Sequence, residues 1–364
     1  MRGLYIHIPF CKSICSYCDF PKMIAKEEEK IKYLDALIKE LELYKDELVS
    51  IDTVYIGGGT PNSLSDELLE QLLKALKPYL ECSIENTIEM NCELFTLKQA
   101  QLFKKYHINR VSIGVQTFQS HLIKKINRFH QKEDVFKAIQ ILESVGIQNI
   151  NIDMMLGLPG QTLLDLDHDL AVLKELKITH LSYYSLILED KTVLNYQIKL
   201  GQVKLPDDDL VADMINKVNQ NLKMRHFNHY EVSNYALKGF ESKHNLIYWN
   251  TEEYIGIGAG ACGYIHSKRY KNHIILSKYY EKNIEEEEFI SVEEQKSEFM
   301  MLGLRKLSGI SILEYQQKFN SSPFEDFKLE ELISKGLLRY HQDRLWIDEE
   351  HILLGNLVFE TFVG

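Results

Sequence analysis

The 364-residue sequence has no apolar run long enough to cross a bilayer. Its first residues, MRGLYIHIPFCK, hold neither a long apolar stretch nor a small-residue cleavage site, so no signal peptide is expected. It also lacks an excess of positive charge, since 42 Lys and Arg against 53 Asp and Glu leave a formal net charge of −11. That balance argues against broad nucleic-acid binding, which needs a basic surface, a local patch aside. There is no low-complexity tract and no internal repeat beyond a β–α period. The expectation that remains is a soluble cytoplasmic protein whose composition, 45% hydrophobic and 26% charged, suffices for a large core.

Cysteine is scarce but unevenly placed. Of six cysteines, Cys11, Cys15 and Cys18 fall within eight residues, while Cys82, Cys92 and Cys262 stand apart. In a reducing compartment such clustering points to metal binding or redox chemistry, not disulfides.

Short β-rich runs alternate with helical patterns six times. The expected strands are 3–8, 53–56, 87–91, 110–115, 150–155 and 180–186. The first intervening helix carries Ile31, Leu34, Leu37, Ile38, Leu41 and Tyr44 on one stripe, and Ser65 is a plausible N-cap for the second. The remaining helices are expected over 96–106, 132–145, 163–176 and 207–225. This alternation implies an α/β fold, either a doubly wound sheet or a partial barrel, with functional groups beyond the C-terminal strand ends. The segments read as a barrel over 1–230, an aromatic and glycine-rich extension with a linker over 231–290, and a small C-terminal domain over 291–364. The charged stretch 279–294, with Glu285–Glu288, reads as a solvated face or linker. The last segment reads as a small helical unit ending in a hairpin, from LLRYHQDRLWI and HILLGNLVF.

The cluster Cys11-x-x-x-Cys15-x-x-Cys18 lies in a loop just after the first strand. Three thiolates can hold three irons of a [4Fe–4S] cluster and leave the fourth iron open. An open iron can chelate an amine and a carboxylate, the two groups at the amino-acid end of S-adenosylmethionine. The alternatives are a zinc site with His7 as fourth ligand, a dithiol pair at Cys15 and Cys18, and plain buried thiols. Gly57-Gly58-Gly59-Thr60-Pro61 follows the second strand; three glycines allow close backbone approach to a ligand, although a tight turn is the plainer alternative. No Gly-Lys-Ser/Thr follows, so it is not a P-loop. Gly258–Gly263 fits GxGxxG formally, but no helical stripe follows it and a dinucleotide site is rejected.

YIHIPFCKSICSYCDF and GGGTP resemble the radical S-adenosylmethionine superfamily, in particular the group of oxygen-independent coproporphyrinogen oxidases and heme chaperones. The resemblance covers nearly the whole chain. It implies a partial (β/α)6 barrel with a small, mainly helical C-terminal domain, and Cys11, Cys15 and Cys18 as the cluster ligands. It also implies that Gly59, Thr60, Glu89, Gln116, Arg128 and Asp153 line the S-adenosylmethionine site, with Tyr5 nearby. Arg128 is suited to pair with a carboxylate. A buried strand carboxylate such as Glu89 or Asp153 is costly unless partnered, although a solvated strand-end aspartate is the plainer reading of Asp153. The group usually has histidine where this chain has Cys262.

Two features separate the oxidases from the chaperones. The resembling oxidases carry a fourth cysteine two residues after the third, where this chain has Phe20, and an N-terminal extension, where only four residues precede Tyr5. His244-Asn245-Leu246-Ile247-Tyr248-Trp249 matches the HNxxYW motif of the heme chaperones. By that resemblance His244 and Tyr248 are candidate heme ligands and Trp249 a flat apolar surface; a core histidine beside an aromatic is the plainer alternative. The resulting expectation is a heme chaperone, monomeric or homodimeric. It would hold a [4Fe–4S] cluster reduced by a low-potential electron donor, S-adenosylmethionine and heme, and deliver heme to an acceptor hemoprotein, including a membrane-associated one. The alternative is oxidative decarboxylation of coproporphyrinogen III.

Overall fold

The computed structural model describes residues 1–363, so Gly364 of the expected third segment lies outside the described residues. The β–α alternation is present. β1 (Gly3–Ile8) leads to α1 (Glu27–Leu43), β2 (Thr53–Gly58) to α2 (Asp66–Cys82), and β3 (Glu85–Met90) to α3 (Leu97–Lys105). β4 (Arg110–Gln116) is followed by the short α4 (Ser120–Lys125) and by α5 (Lys132–Ser144), and β5 (Asn149–Leu156) by α6 (Leu163–Glu175). β6 (His180–Ser185) leads to α7 (Val193–Lys199) and α8 (Asp208–Met224). β1 to β6 pair in sequence order and all in parallel.

The side chains on alternate strand positions explain the layering. Leu4, Ile6, Val54, Ile56, Ile88, Val111, Ile113, Ile150, Ile152 and Leu181 are fully buried against the helix stripes, among them Leu37 and Leu72. Each such side chain contributes about 1.5–3 kcal/mol of apolar burial. The other strand face is polar: Tyr5, His7, Thr53, Tyr55, Thr87, Glu89, Arg110, Ser112, Asn151, Asp153, His180 and Ser182 alternate with the apolar set. Asn151 Nδ2 donates across to Ser112 Oγ on β4 and along its own strand to Asp153 Oδ1, each at 2.7 Å, while Thr87 Oγ1 and Arg110 Nε on the same face have no partner. Ser65 caps α2 as expected, its Oγ accepting from Leu68 N at 3.4 Å. Ile31 departs from the expected α1 stripe and is exposed.

The sheet is wider than six strands. β7 (Asn228–Glu231) and β8 (Asn234–Ala236) add antiparallel strands beyond β6. After α9 (Lys243–Trp249), β9 (Tyr254–Ile257) pairs in parallel with β1, and β10 (Cys262–Ile265) and β11 (Lys268–Asn272) form a hairpin. After α10 (Leu276–Glu281), β12 (Ile284–Phe289) closes that edge. The order is β12-β11-β10-β9-β1-β2-β3-β4-β5-β6-β8-β7, an open sheet in which β9 and β6 do not meet. Glu285–Glu288 therefore lie in an exposed edge strand and not in a linker, and their charge blunts an edge that would otherwise recruit another strand.

Gly258–Gly263 spans the turn between β9 and β10, and no helix follows it. Gly258 has φ +106°, and a Cβ there would come within 2.6 Å of His7 O and Tyr33 Oη. Its N–H donates to the buried Glu40, which also accepts from Asn272 (2.6 Å) and Tyr279 (2.5 Å) and so ties α1 to the β9–β11 extension.

The C-terminal unit has its own core around Met300, Leu304, Tyr315, Leu329 and Leu345, under α11 (Val292–Gly303), β13 (Ile310–Ser311) and α12 (Ile312–Phe319). β14 (Arg339–His341) and β15 (Arg344–Trp346) form the expected hairpin, and β13 pairs with β15. HILLGNLVF is not part of it. That segment forms a 3₁₀ turn and the helix Gly355–Phe359, because Ile352, Val358 and Phe359 reach the core from a helical turn. Among the described residues no helix is long and apolar enough to cross a membrane.

Candidate functional site

All six parallel strands deliver their C-terminal ends to one side, where the loop leaving β1 folds across them. Cys11 N donates to Met23 O at 2.9 Å and Met23 N to Pro9 O at 2.7 Å, which closes the loop at its base. Its far side is held by Ser16 N on Ile126 O (3.1 Å), Asn127 Nδ2 on Ile14 O (2.7 Å) and Leu194 N on Ser16 O (2.8 Å). The loop is thereby pinned to the end of α4 and the start of α7. Cys11, Cys15 and Cys18 all line one cavity of about 370 Å³, within the size range of small-molecule sites. Burial pushes the Cys11 and Cys18 thiols up from their ordinary pKa. Cys82 and Cys262 are exposed and Cys92 is buried, and none of them lines this cavity.

The zinc alternative does not survive this geometry. His7 is buried, with Nδ1 paired to Tyr5 Oη at 3.0 Å and Nε2 to Pro21 O at 2.8 Å, so neither ring nitrogen is free. Among the described residues no three His, Cys, Asp or Glu side chains converge on a single ion. The three thiols line the cavity together with the loop that carries them.

The glycines after β2 are required by neighbours on the cavity wall. A Cβ on Gly58, at φ +110°, would stand 2.5 Å from the His7 ring. On Gly57 it would meet the Glu89 carboxyl at 2.9 Å, and on Gly59 Cys11 Sγ at 3.0 Å. The triplet thus lets the cysteine loop and Glu89 close on the strand end. Thr60 Oγ1 donates to Cys11 Sγ at 3.4 Å.

Two half-buried carboxylates line the same cavity. Glu89 accepts from Tyr55 Oη at 2.7 Å and from Gly58 N at 3.0 Å, and burial raises its pKa to about 7. Asp153 accepts from Ser112 Oγ at 2.9 Å and from Asn151, and burial raises it too. Arg110 supplies the nearby positive charge that draws both back down. The Arg128 guanidinium donates to Gly114 O at 2.6 Å and Asn91 Oδ1 at 3.2 Å and lies 3.8 Å from Cys15 Sγ. Gln116 has φ +67° at an irregularity in the β4–β5 register, and its buried Oε1 has no partner. That orphaned acceptor and the three thiols on one wall fit a polar small molecule bound beside a cluster.

The structure therefore brings Gly59, Thr60, Glu89, Gln116, Arg128 and Asp153 to the same cavity as the three cysteines. Tyr5 does not line it; its ring stacks on Tyr55 at 6.1 Å, one layer behind. His244 and Tyr248 do not line it either. His244 is 1% exposed, with Nδ1 on Thr53 Oγ1 at 2.7 Å and Nε2 on Tyr248 Oη at 2.8 Å. Both ring nitrogens of His244 are thus engaged, and the Tyr248 hydroxyl is engaged with one of them. Trp249 packs under the Arg305 guanidinium at 5.0 Å and is not an open flat face. Sequence reasoning missed Tyr55, Asn91 and Tyr184, which also line the cavity. The period-2 alternation could have found Tyr55, since it stands beside Tyr5 in the β1–β2 register and two residues before Gly57.

Comparison with known proteins agrees with this architecture. Residues 5–173 match the Radical SAM superfamily and residues 290–354 the HemN C-terminal domain. The chain is 42% identical to the heme chaperone HemW of Lactococcus lactis, covering 100% of this chain and 97% of that one. It is 39% identical to the Bacillus subtilis heme chaperone HemW over the full length of both, and 31% identical to that of Escherichia coli over 100% and 98%. Coproporphyrinogen III oxidase (HemN) from Escherichia coli superposes with a TM-score of 0.85 at 20% identity, covering 99% of this chain and 89% of that chain, which shows a shared fold. The six parallel βα units, the three-cysteine loop and identity along the whole length lead to one conclusion: the chain belongs to the HemW family of the radical SAM superfamily.

Proposed function

We propose that the chain is a heme chaperone in which Cys11, Cys15 and Cys18 hold a [4Fe–4S] cluster, the adjoining cavity binds S-adenosylmethionine, and bound heme passes to an acceptor hemoprotein. The observation that carries the cofactor part is the cavity itself, with three thiols on one wall and Glu89, Asp153, Arg128 and Gln116 around the rest. Full-length likeness to proteins named heme chaperone supports the heme part. A cluster bound there supplies an open iron and, from a low-potential donor, the electron that can cleave S-adenosylmethionine.

The protein's own groups bind and orient. Glu89 and Asp153 are placed to accept hydrogen bonds from the amine or the ribose hydroxyls, and Gln116 Oε1 is an unused acceptor. The Arg128 charge faces the cysteines and suits the ligand's carboxylate. Gly59 and Thr60 bring backbone to the same wall. Heme ligation by His244 or Tyr248 would first require the hydrogen bond between them to open.

Anaerobic reconstitution tests the first part: iron and sulfide should bind at cluster stoichiometry, with visible absorbance that Cys15→Ala abolishes. A heme titration tests the second, and a Soret shift is expected. Incubation with coproporphyrinogen III, S-adenosylmethionine and reductant should give no protoporphyrinogen. Its appearance would replace this reading with the oxidase.

A further inference from the structure

The HNxxYW segment, on α9, lies behind the cavity wall and meets it through His244. The His244 ring stacks on Tyr55 with centroids 5.0 Å apart and planes 30° apart. Tyr55 in turn donates its hydroxyl to Glu89 at 2.7 Å, inside the cavity. The His244 ring is itself clamped, Nδ1 to Thr53 on β2 and Nε2 to Tyr248, and it packs closely on Gly3, where a Cβ would stand 3.0 Å from its Cε1. Glu85 at the start of β3 accepts from His244 N at 3.0 Å and from Lys243 N at 3.1 Å, which fixes the start of α9. Both nitrogens of the imidazole are used, and the ring they hold lies against Tyr55.

We propose that His244 is a positioning residue for the S-adenosylmethionine cavity: it holds Tyr55 so that the tyrosine hydroxyl stays on Glu89, and so sets the orientation and charge of the carboxylate that meets the ligand. This rests on the reading of the cavity given above. A carboxylate accepting a hydrogen bond in its charged form is favoured in that form. Tyr55 and the Gly58 N–H therefore hold Glu89 down against burial, which places it at about 7. The other groups facing it are Asp153 from β5, which raises it, and Arg110 from β4, which lowers it, together with Tyr5 from β1, Tyr184 from β6 and Tyr248 from α9. His244 is neutral, since burial lowers it to about 3, so it acts through ring contact and not through charge.

The test is equilibrium dialysis of S-adenosylmethionine on cluster-reconstituted full-length protein between about pH 6 and 9, where Glu89 changes charge. Tyr55→Phe should weaken binding about tenfold near neutral pH, the usual effect of losing a hydrogen bond to a charged group. It should also move the midpoint of the pH dependence upward, because Glu89 loses a donor. His244→Ala should move affinity and midpoint in the same direction, and the double variant should be no weaker than Tyr55→Phe alone. Thr53→Val, which frees only one side of the ring, should give a smaller shift of the same sign. Additive losses, or an unshifted midpoint or unchanged S-adenosylmethionine affinity in His244→Ala, would overturn the inference. If His244→Ala does not fold, an unshifted midpoint in both Tyr55→Phe and Thr53→Val overturns it. Wild-type protein that reconstitutes its cluster but binds no S-adenosylmethionine refutes the cavity reading itself.

Discussion

A methyl group at position 59 would stand 2.9 Å from the Pro9 carbonyl carbon and 3.0 Å from Cys11 Sγ. Backbone on one side and a cysteine on the other leave no flexible chain end to yield. Gly59→Ala should therefore displace the start of the cysteine loop at a cost of about 1–3 kcal/mol, the usual penalty of overpacking. Lower iron content after reconstitution, with a folded circular dichroism spectrum retained, is the expected result; full iron incorporation would contradict it. Cys11, Cys15, Cys18 and the glycine triplet were legible in the sequence because their chemistry and spacing are rare. Tyr55 was not, since a tyrosine in a strand reads equally as core. His244 was legible as a motif, but only the fold shows that Thr53 and Tyr248 engage its two nitrogens.

At the scale of elements, α6 holds the loop leaving β4. Asp169 accepts from Thr117 Oγ1 (2.8 Å), Phe118 N (2.9 Å) and Gln119 Nε2 (2.8 Å), just beyond Gln116. Burial raises its pKa to about 6. A raised folded pKa means that the folded chain takes up the proton first, so stability is lost as pH rises from the ordinary aspartate value of about 3.9 toward 6, by about 3 kcal/mol in all. Asp169→Asn lacks this titration. Its stability relative to wild type should be about 2 kcal/mol more favourable at pH 7 than at pH 4, read from urea unfolding at the two pH values; an equal difference at both would show that Asp169 ionises freely. The six strands and their helices were legible because their apolar residues keep a clear period. β9 to β12 were not. Their glycines and the Glu285–Glu288 run carry no β signature, and pairing with β1 and with one another makes them strands.

At the scale of the molecule, two sets of buried groups oppose each other. His7, His130, His180 and His244 are held neutral by burial, at about 4, 4 and 3 for His7, His130 and His244. Their stability is present above about pH 6.5 and is lost as pH falls through the folded values. Glu40, Glu89, Asp153, Asp169 and Glu231 are raised by burial, so their effect has the other sign and stability returns as pH falls toward about 4. The raised carboxylates should therefore make the fall in melting midpoint below about pH 6.5 shallower than the buried histidines alone would give, and Asp169→Asn should steepen it; an unchanged slope would contradict this opposition. The sequence by itself determined the α/β alternation, the cysteine loop and the family, because period, spacing and composition are local and survive without coordinates. Only the tertiary structure decided which polar residues share a cavity, that the HNxxYW histidine stands behind the wall, and that the charged run is a sheet edge. Those outcomes depend on strand register and on contacts between residues far apart in the chain, which no local pattern records.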